Sequence, residues 1–118
     1  MKGEDLKQRT KRLAIEIVRL CRKLPETDEG HIIARQLLRC GTSVGANYRA
    51  VCRARSRPDF ISKLGIVLEE ADETSFWLEL LVESGAVPSS AVQHLLAETN
   101  ELTAIFVASL RSAKNERD

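Results

Sequence analysis

The feature that most constrains this chain is a series of mostly apolar residues at alternating steps of three and four, interrupted only near its prolines. Pro25, Pro58 and Pro88 divide the 118 residues into four segments, each long enough for a helix. Proline disrupts the interior of a helix but suits its first turn and the loops between helices. Since steps of three and four place side chains on one helical face, the pattern predicts four amphipathic helices.

Each segment carries one stripe of this kind. Its members are Leu6, Thr10, Leu13, Ile17, Leu20 and Leu24; then Ile33, Leu37, Cys40, Val44, Asn47 and Val51; then Phe60, Leu64, Val67, Ala71, Thr74, Leu78 and Leu81; and last Val92, Leu95, Thr99, Leu102, Phe106, Ser109 and Ala113. Four stripes joined by short loops predict an all-α fold, an antiparallel up-down-up-down four-helix bundle. We expect a single domain over residues 1–118, with helices at about 4–24, 28–55, 58–84 and 90–114.

Residues with capping side chains flank each proline. Thr27 follows Pro25, and Ser56 precedes Pro58. Ser90 has Gln93 three positions later, which is the spacing of a capping box. These residues indicate where the second, third and fourth helices begin.

Three positions in the second stripe or beside it depart from helix-forming rules. Asn47 occupies a core position, where its amide needs hydrogen-bond partners, and Thr74 or Ser75 on the next helix are candidates. We predict a contact that fixes helix register rather than a catalytic role. Gly41 and Gly45 lie in mid-helix, each at a cost of up to about 1 kcal/mol relative to alanine. The favoured interpretation is close packing of a neighbouring helix of the same chain, and the alternative is close approach of another subunit or a phosphate backbone.

Charge is segregated along the chain, although the formal net charge is only +1. Residues 1–57 hold 14 lysines and arginines against 6 acidic residues, and residues 58–118 hold 4 against 11. No acidic residue lies between Gly30 and Pro58. Helical geometry turns the arginines of this stretch away from the core stripe, and the series continues into the following loop. The candidate nucleic-acid-binding residues are Arg35, Arg39, Arg49, Arg53 and Arg57.

Three interpretations of these arginines compete. They form a solvated face, they pair with acidic residues of a neighbouring subunit, or they bind the phosphates of RNA or DNA. Arginine is suited to both of the last two because its guanidinium makes bidentate contacts with carboxylate and phosphate. Tyr48 is the one aromatic residue near this face, so the pattern does not favour recognition of unpaired bases.

The third predicted helix is acidic and carries apolar residues on its far side, opposite its core stripe. An exposed apolar group among charged residues indicates a subunit contact. The candidate interface residues are Ile66, Glu69, Glu73, Phe76, Trp77 and Leu80. A basic surface meeting a different, acidic surface is a heterologous contact, and such contacts close into rings. In this alternative the arginines pair with Glu69, Glu73 or Glu83 of the next copy and have no nucleic-acid role.

The residue patterns that support catalysis, cofactors or metals are missing from the sequence. His31 and His94 fall on different predicted helices, and Cys21, Cys40 and Cys52 lack zinc-ligand or redox spacing. We therefore expect no catalytic residue, no cofactor and no metal, and reduced thiols in the cytoplasm. The longest uncharged run is too short to cross a bilayer, and no apolar signal region follows the N-terminus, so we expect no membrane association.

Two stretches carry a family resemblance. Residues 36–49, QLLRCGTSVGANYR, and residues 56–74, SRPDFISKLGIVLEEADET, resemble the second and third helices of the small four helix bundle proteins. That family includes proteins encoded by intervening sequences inside bacterial 23S ribosomal RNA genes. The resemblance implies a cytoplasmic bacterial protein that forms a homopentameric ring. It also implies a relationship to the accessory variability-determinant protein of diversity-generating retroelements, a basic pentamer that works with a reverse transcriptase and nucleic acid.

The sequence thus leads to two main hypotheses, beside a third in which the bundle binds a metal or another ligand. The first is a non-enzymatic, homo-oligomeric accessory protein, pentameric by resemblance, that binds RNA or DNA through the arginine-rich face of the second helix. The second is a structural oligomer or an adaptor for another protein, in which that basic face pairs with the acidic third helix of a neighbouring subunit.

Overall fold

The computed structural model describes residues 3–115. Four α-helices follow one another along the chain: α1 (Gly3–Cys21), α2 (Asp28–Val51), α3 (Arg57–Glu83) and α4 (Gln93–Asn115), with one 3-10 turn at Ser89–Ala91. Each helix packs against the next, and α4 returns beside α1, in a bundle of 52 × 21 × 20 Å. The predicted all-α four-helix bundle is confirmed.

The seam between α1 and α2 shows the antiparallel arrangement directly. Gly41 of α2 lies against Ile17 of α1, and Gly45, one turn further along α2, lies against the earlier residue Thr10. The short loops between the other helices give the same alternation, as the spacing of the prolines predicts.

Two of the predicted helix caps are formed. The Thr27 hydroxyl oxygen accepts the backbone N–H of Gly30 at 3.0 Å, and that of Ser56 accepts the N–H of Asp59 at 3.1 Å. Both cap residues have extended backbone angles, so the backbone becomes helical only after each cap. Pro58 occupies the first turn of α3, where its missing N–H costs nothing.

The fourth helix begins later than its capping pattern predicts. Ser90 lies inside the 3-10 turn, and α4 starts only at Gln93. The N–H of Ala91 bonds to the carbonyl of Pro88 at 3.0 Å, which closes a tighter turn before the helix. Proline at 88 thus starts a 3-10 turn here, and the predicted capping box does not form.

The first two helices end earlier than the sequence indicates. α1 stops at Cys21 because Leu24 precedes a proline, which disfavours helical backbone angles at that residue. α2 stops at Val51, and the N–H of Ala54 bonds back only three residues, to Val51, at 3.0 Å. The tightened turn then leads directly into the Ser56 cap of α3. After α3, Gly85 adopts a φ of +80°, a left-handed conformation that reverses the chain at little cost for glycine.

The core consists of the four predicted stripes, with one replacement. The first stripe is buried throughout, and the second is buried except at Asn47, which is half-buried. The third stripe is buried except at Phe60, and the fourth is buried except at Ser109 and Ala113. These three residues are half-buried. Tyr48 is buried beside Asn47, with its ring stacked on Phe106 at a centroid distance of 5.9 Å. The close approach of α1 at Gly41 and Gly45 turns that flank of α2 inward, so Tyr48 rather than Asn47 lies in the core.

The predicted contact of Asn47 with the next helix is wrong for the same reason. Thr74 is fully buried, but its hydroxyl donates to the carbonyl oxygen of Glu70 at 2.8 Å. Ser75 bonds to the side chain of Asn100 on α4 at 3.0 Å. Both hydroxyls that were candidates for Asn47 are therefore used elsewhere.

Candidate functional site

The glycines of α2 determine how closely α1 approaches. A Cβ added at Gly45 would lie 3.0 Å from the carbonyl oxygen of Thr10, and one added at Gly41 would lie 3.0 Å from the Ile17 side chain. The first distance is to backbone, so α1 could move aside only as a whole. These contacts confirm the interpretation that the mid-helix glycines serve close packing within the chain.

This close seam brings cations of two helices to one groove. Lys7 and Lys11 of α1 lie on one wall, and Arg49 of α2 lies on the other, with Gly45 and the small Ala46 between them. Lys7 has an acidic neighbour, Glu4, at 3.7 Å from its ammonium nitrogen. The short side chains leave the middle of the groove open, so a ligand could contact the cations of both helices at once.

A second group of cations lies around the corner, where α2 ends and α3 begins. Arg53, Arg55 and Lys63 line a shallow depression there together with Asp59. The carboxylate of Asp59 accepts the ammonium of Lys63 at 2.8 Å and the backbone N–H of Arg55 at 3.1 Å. These contacts, chiefly the one with Lys63, hold the pKa of Asp59 below its ordinary value. The single acidic residue in the depression is thus already paired.

The two groups form one surface at the same end of the bundle, which we call the basic end. Its members are Lys7, Lys11, Arg49, Arg53, Arg55 and Lys63. Within residues 3–115, no acidic side chain forms an ion pair with Arg49 or Arg53, and both side chains are exposed. An anion that approaches this end meets positive charge from three helices.

The predicted arginine face does not stay together in the structure. Arg39 pairs with Glu70 and Glu73 of α3 in its own chain, and its hydrogen bonds also reach Gln36. The hydrogen bond with Glu73 raises the pKa of the Arg39 guanidinium and lowers that of the carboxyl. The arginine face is therefore interrupted in the middle of α2 by charge pairing within the subunit.

The outer members of the predicted set lie far apart. Fourteen residues of helix separate Arg35 from Arg49, or about 21 Å along α2. Arg35 is exposed near the start of α2, whereas Arg57 is half-buried at the start of α3. Of the five predicted arginines, the structure brings Arg49 and Arg53 to the exposed surface of the basic end.

Sequence reasoning missed the lysines of the basic end. Lys7 and Lys11 follow each other at a step of four, on the side of α1 that faces α2, and Lys63 lies one turn after the acidic residue of the α3 N-terminus. The spacing of charged residues in the sequence shows which of them share a face of the same helix. Which of these faces meet is decided by the packing of helices.

Phe60 is half-buried and lines a cavity with Arg55 and Arg57, and the other aromatic residues lie in the core or further along α3. Burial raises the pKa of the Tyr48 phenol to about 12, with a further contribution from the neighbouring Cys52 thiol. Because Tyr48 is buried against Phe106, it cannot stack on a nucleic-acid base. Phe76 and Trp77 contact each other edge to face at 5.0 Å on α3, among acidic residues.

The predicted interface residues form a continuous strip on the outer face of α3, which we call the α3 stripe. Phe76 is 53% exposed and Ile66 is 48% exposed, so two large apolar groups face solvent in the isolated subunit. Its members are Ile66, Glu69, Glu73, Phe76, Trp77 and Leu80. Leu80 and Trp77 are half-buried, and the indole N–H of Trp77 donates to Glu73 at 3.1 Å.

Other kinds of site receive no support from the described part of the chain. Within residues 3–115, no three His, Cys, Asp or Glu side chains gather as metal ligands. The same residues include no helix long and apolar enough to cross a bilayer. All three cysteines are free thiols, and burial raises the pKa of Cys21 to about 11.

Comparisons with known proteins agree with this architecture. Residues 4–108 match the family described as 23S rRNA-intervening sequence protein. A crystal structure of a protein of unknown function from the S23 ribosomal protein family of Bacteroides thetaiotaomicron VPI-5482 superposes with a TM-score of 0.82 at 34% identity. That similarity covers 89% of this chain and 97% of the other. A search of curated proteins gives no match. Since the family match spans most of its length, this chain belongs to the 23S rRNA-intervening sequence protein family.

Proposed function

We propose that this protein is a non-enzymatic, homo-oligomeric accessory protein of the bacterial cytoplasm that binds RNA or DNA phosphates at its basic end. The resemblance to small four helix bundle proteins suggests a pentamer. The observation that carries the proposal is the meeting of six cations from α1, α2, the loop after α2 and α3 at one end of the bundle. The three free cysteines are consistent with a reducing compartment.

The exposed cations of the basic end are suited to a sugar-phosphate backbone. Arg49 and Arg53 offer guanidinium groups that are not neutralised within residues 3–115, and Lys7 and Lys11 face Arg49 across an open groove. Since Tyr48 is buried, we expect phosphate contacts rather than base stacking to supply the affinity. Binding should then depend weakly on sequence and strongly on salt.

The experiment measures the affinity of fluorescein-labelled RNA and DNA of mixed sequence as a function of salt, by polarisation. For the wild-type protein we expect the logarithm of the association constant to fall linearly with the logarithm of the salt concentration. The double variant Arg49→Glu/Arg53→Glu should bind at least tenfold more weakly. Its salt slope should be smaller by about one for each phosphate that the substituted side chains no longer neutralise.

A matched variant controls for net charge. Arg12 on α1 and Lys23 just after α1 are exposed outside the basic end, so Arg12→Glu/Lys23→Glu changes the total charge equally without touching that surface. This control should keep most of the wild-type affinity. An equal weakening in the two double variants would show nonspecific attraction, and full affinity in the Arg49/Arg53 variant would refute the proposed site.

A second candidate function is supported by the α3 stripe. The two large apolar groups exposed there, with acidic residues around them, fit a structural or protein-adaptor oligomer without a nucleic-acid role. In that case the arginines of α2 pair with acidic residues of a neighbouring copy. Arg39 already pairs with Glu70 and Glu73 inside its own subunit, so this alternative relies on the other arginines.

The two candidates differ in what the charge reversal does to assembly. Size-exclusion chromatography with light scattering, at low and at high salt, measures the mass of the assembly, and absorbance at two wavelengths measures bound nucleic acid. If the basic end binds nucleic acid, Arg49→Glu/Arg53→Glu keeps the wild-type multiple of 13.2 kDa and releases the nucleic acid. If the structural alternative holds, the same variant dissociates.

A further inference from the structure

We infer that the α3 stripe of one copy docks on an apolar patch between α1 and α2 of a second copy, through a head-to-tail contact. This inference rests on the proposed self-association and identifies its second surface. The docking patch, which we call the α1–α2 patch, consists of Ile15, Val18 and Leu38 with Arg19, Arg22 and Arg35 around them.

The α1–α2 patch lies on the outer face of the bundle, towards the start of α2. Along the seam of α1 and α2, the Cys21 thiol donates to the Ala34 carbonyl, and Ile17 lies against Gly41. Leu38 lies between these two contacts along α2. Helical geometry turns Ile15 outward from α1 on the same side. Ile15 is 43% exposed and Leu38 is 37% exposed, which leaves a second apolar surface open in the isolated subunit.

The charges around the two surfaces are opposite. Arg19, Arg22 and Arg35 are exposed beside the α1–α2 patch, and the one acidic residue in the middle of α1, Glu16, faces α4, where it lies 3.6 Å from His94. Along α3, no lysine or arginine occurs after Lys63. The exposed acidic residues are Glu69 within the α3 stripe and Asp72, Glu79 and Glu83 beside it.

This complementarity favours a second copy of the chain in one orientation. Two α3 stripes placed face to face would bring acidic residues against acidic residues, and two α1–α2 patches would bring arginines together. An α3 stripe docked on an α1–α2 patch instead covers the apolar groups of both surfaces and places acidic residues beside arginines. Because stripe and patch lie on different helices of the subunit, each copy can contact two neighbours, as a closed ring requires.

The contact leaves the basic end uncovered. Leu38 and Arg49 are eleven residues apart on α2, or about 16 Å along the helix axis. A neighbour on the α1–α2 patch therefore covers Arg35, whereas Arg49 and Arg53 stay accessible to nucleic acid. The exposed arginines of α2 and of the loop that follows it therefore divide into an assembly group and a binding group.

The test uses two variants that each lack one surface. Ile66→Ser/Phe76→Ser removes the two large apolar groups that the stripe exposes, and Ile15→Ser/Leu38→Ser removes the two that the patch exposes. Light scattering after chromatography should give 13.2 kDa for each variant alone. An equimolar mixture should give a 1:1 dimer, because one intact stripe then meets one intact patch. Ile32→Ser is the matched control, since Ile32 is 55% exposed on α2 outside the patch, and this variant should assemble like the wild type.

The outcomes separate the inference from the proposed function. Full assembly of the Ile15/Leu38 variant, or no dimer in the mixture, overturns the inference while self-association stands. A monomeric wild type at every concentration overturns both. Circular dichroism on each variant must show the wild-type helical content and melting transition, which is expected because all four substituted residues are at least partly exposed. Variants that fail this check are replaced by Glu83→Arg and Arg35→Glu, which should assemble only when mixed, because the mixture brings opposite charges together at both contacts.

Discussion

The two seams made by α1 show how differently one helix can be held on its two sides. Towards α2, small residues bring the backbones together: Gly45 meets Thr10 and Gly41 meets Ile17. Towards α4, the contact is sparser and polar, and it centres on Arg9. The first seam depends on shape and the second on charge, so they should respond to different changes.

The polar seam is a small network of charged groups. Arg9 makes two hydrogen bonds with the carboxylate of Glu98, at 2.7 and 3.0 Å, and its guanidinium lies 3.1 Å from Glu101. The side chains of Arg9 and Glu98 are 19% and 22% exposed, so water screens the pair only in part. Partly buried bidentate pairs of this kind are stronger than ordinary surface ion pairs. This network closes the bundle where the packed seam does not reach.

The largest effect is expected at the close-packed seam. Gly45→Leu places a Cβ 3.0 Å from a backbone oxygen of Thr10, and the rest of the side chain has no space unless the helices separate. Overpacking of this kind costs about 3 kcal/mol of unfolding free energy. Urea denaturation followed by circular dichroism measures the decrease. The control is Gly65→Leu on α3, where an added Cβ meets nothing within 4 Å, and this variant should keep its stability. Equal stability of the two variants would contradict the close approach.

The polar seam should respond less. Arg9→Met leaves Glu98 in its partly buried position without this partner, and we expect the unfolding free energy to fall by about 1–2 kcal/mol. The double variant Arg9→Met/Glu98→Leu should recover at least half of that decrease, because no unpaired charge remains. Chemical denaturation of the two variants and of Glu98→Leu completes a double-mutant cycle. Additive effects across the cycle would mean that the pair does not hold the seam.

A change on the open side of α3 should have the opposite sign. Gly65 lies in mid-helix, and nothing packs where its Cβ would be. Gly65→Ala therefore gains helix propensity without a steric cost, which should raise the unfolding free energy by about 0.5–1 kcal/mol. Thermal denaturation is sensitive enough to detect a gain of this size. A destabilised Gly65→Ala variant would show that something covers this face, and comparison at low and high protein concentration would identify a second subunit as the cause.

The smallest expected effect concerns pH at the seam between α2 and α3. Arg39, and to a lesser extent Trp77, hold the pKa of Glu73 below its ordinary value. The folded pKa is thus lower than the unfolded value of about 4.3, so this stabilisation is complete above that pH and is lost as the pH falls through the folded pKa. The fluorescence of Trp77, the one tryptophan in the chain, should titrate with a midpoint below about 4.3 because its indole bonds to Glu73.

Two variants check the origin of that titration. Glu73→Gln should abolish the fluorescence step and flatten the fall in melting temperature over the same pH interval. Glu69→Gln, on the same face of α3 but away from Trp77, should leave the step in place. A step that persists in Glu73→Gln would assign the titration to another carboxylate.

Helix positions could be predicted closely because their causes are local. Proline at 25 and the cap at Ser56 act within a few residues, and the stripes follow from the period of the helix itself. The errors arose where tertiary contacts decide between neighbours. Tyr48 rather than Asn47 is buried, because α1 approaches α2 on that flank.

The candidate site could be predicted only in part. The α3 stripe follows from one helix, and the structure leaves its two large apolar groups exposed. The arginine face also followed from one helix, but Arg39 lies within reach of the acidic residues of α3 and is neutralised there. Charge acts over distances in space, and the spatial neighbours of an arginine are not its neighbours in sequence.

The sequence by itself therefore determined four amphipathic helices, their order and the uneven distribution of charge along the chain. Only the tertiary structure decided that Lys7, Lys11 and Lys63 join Arg49 and Arg53 at one end of the bundle. The physical reason is that helical periodicity is a property of consecutive residues, whereas an electrostatic surface is the sum of charges from whichever helices the packing brings together.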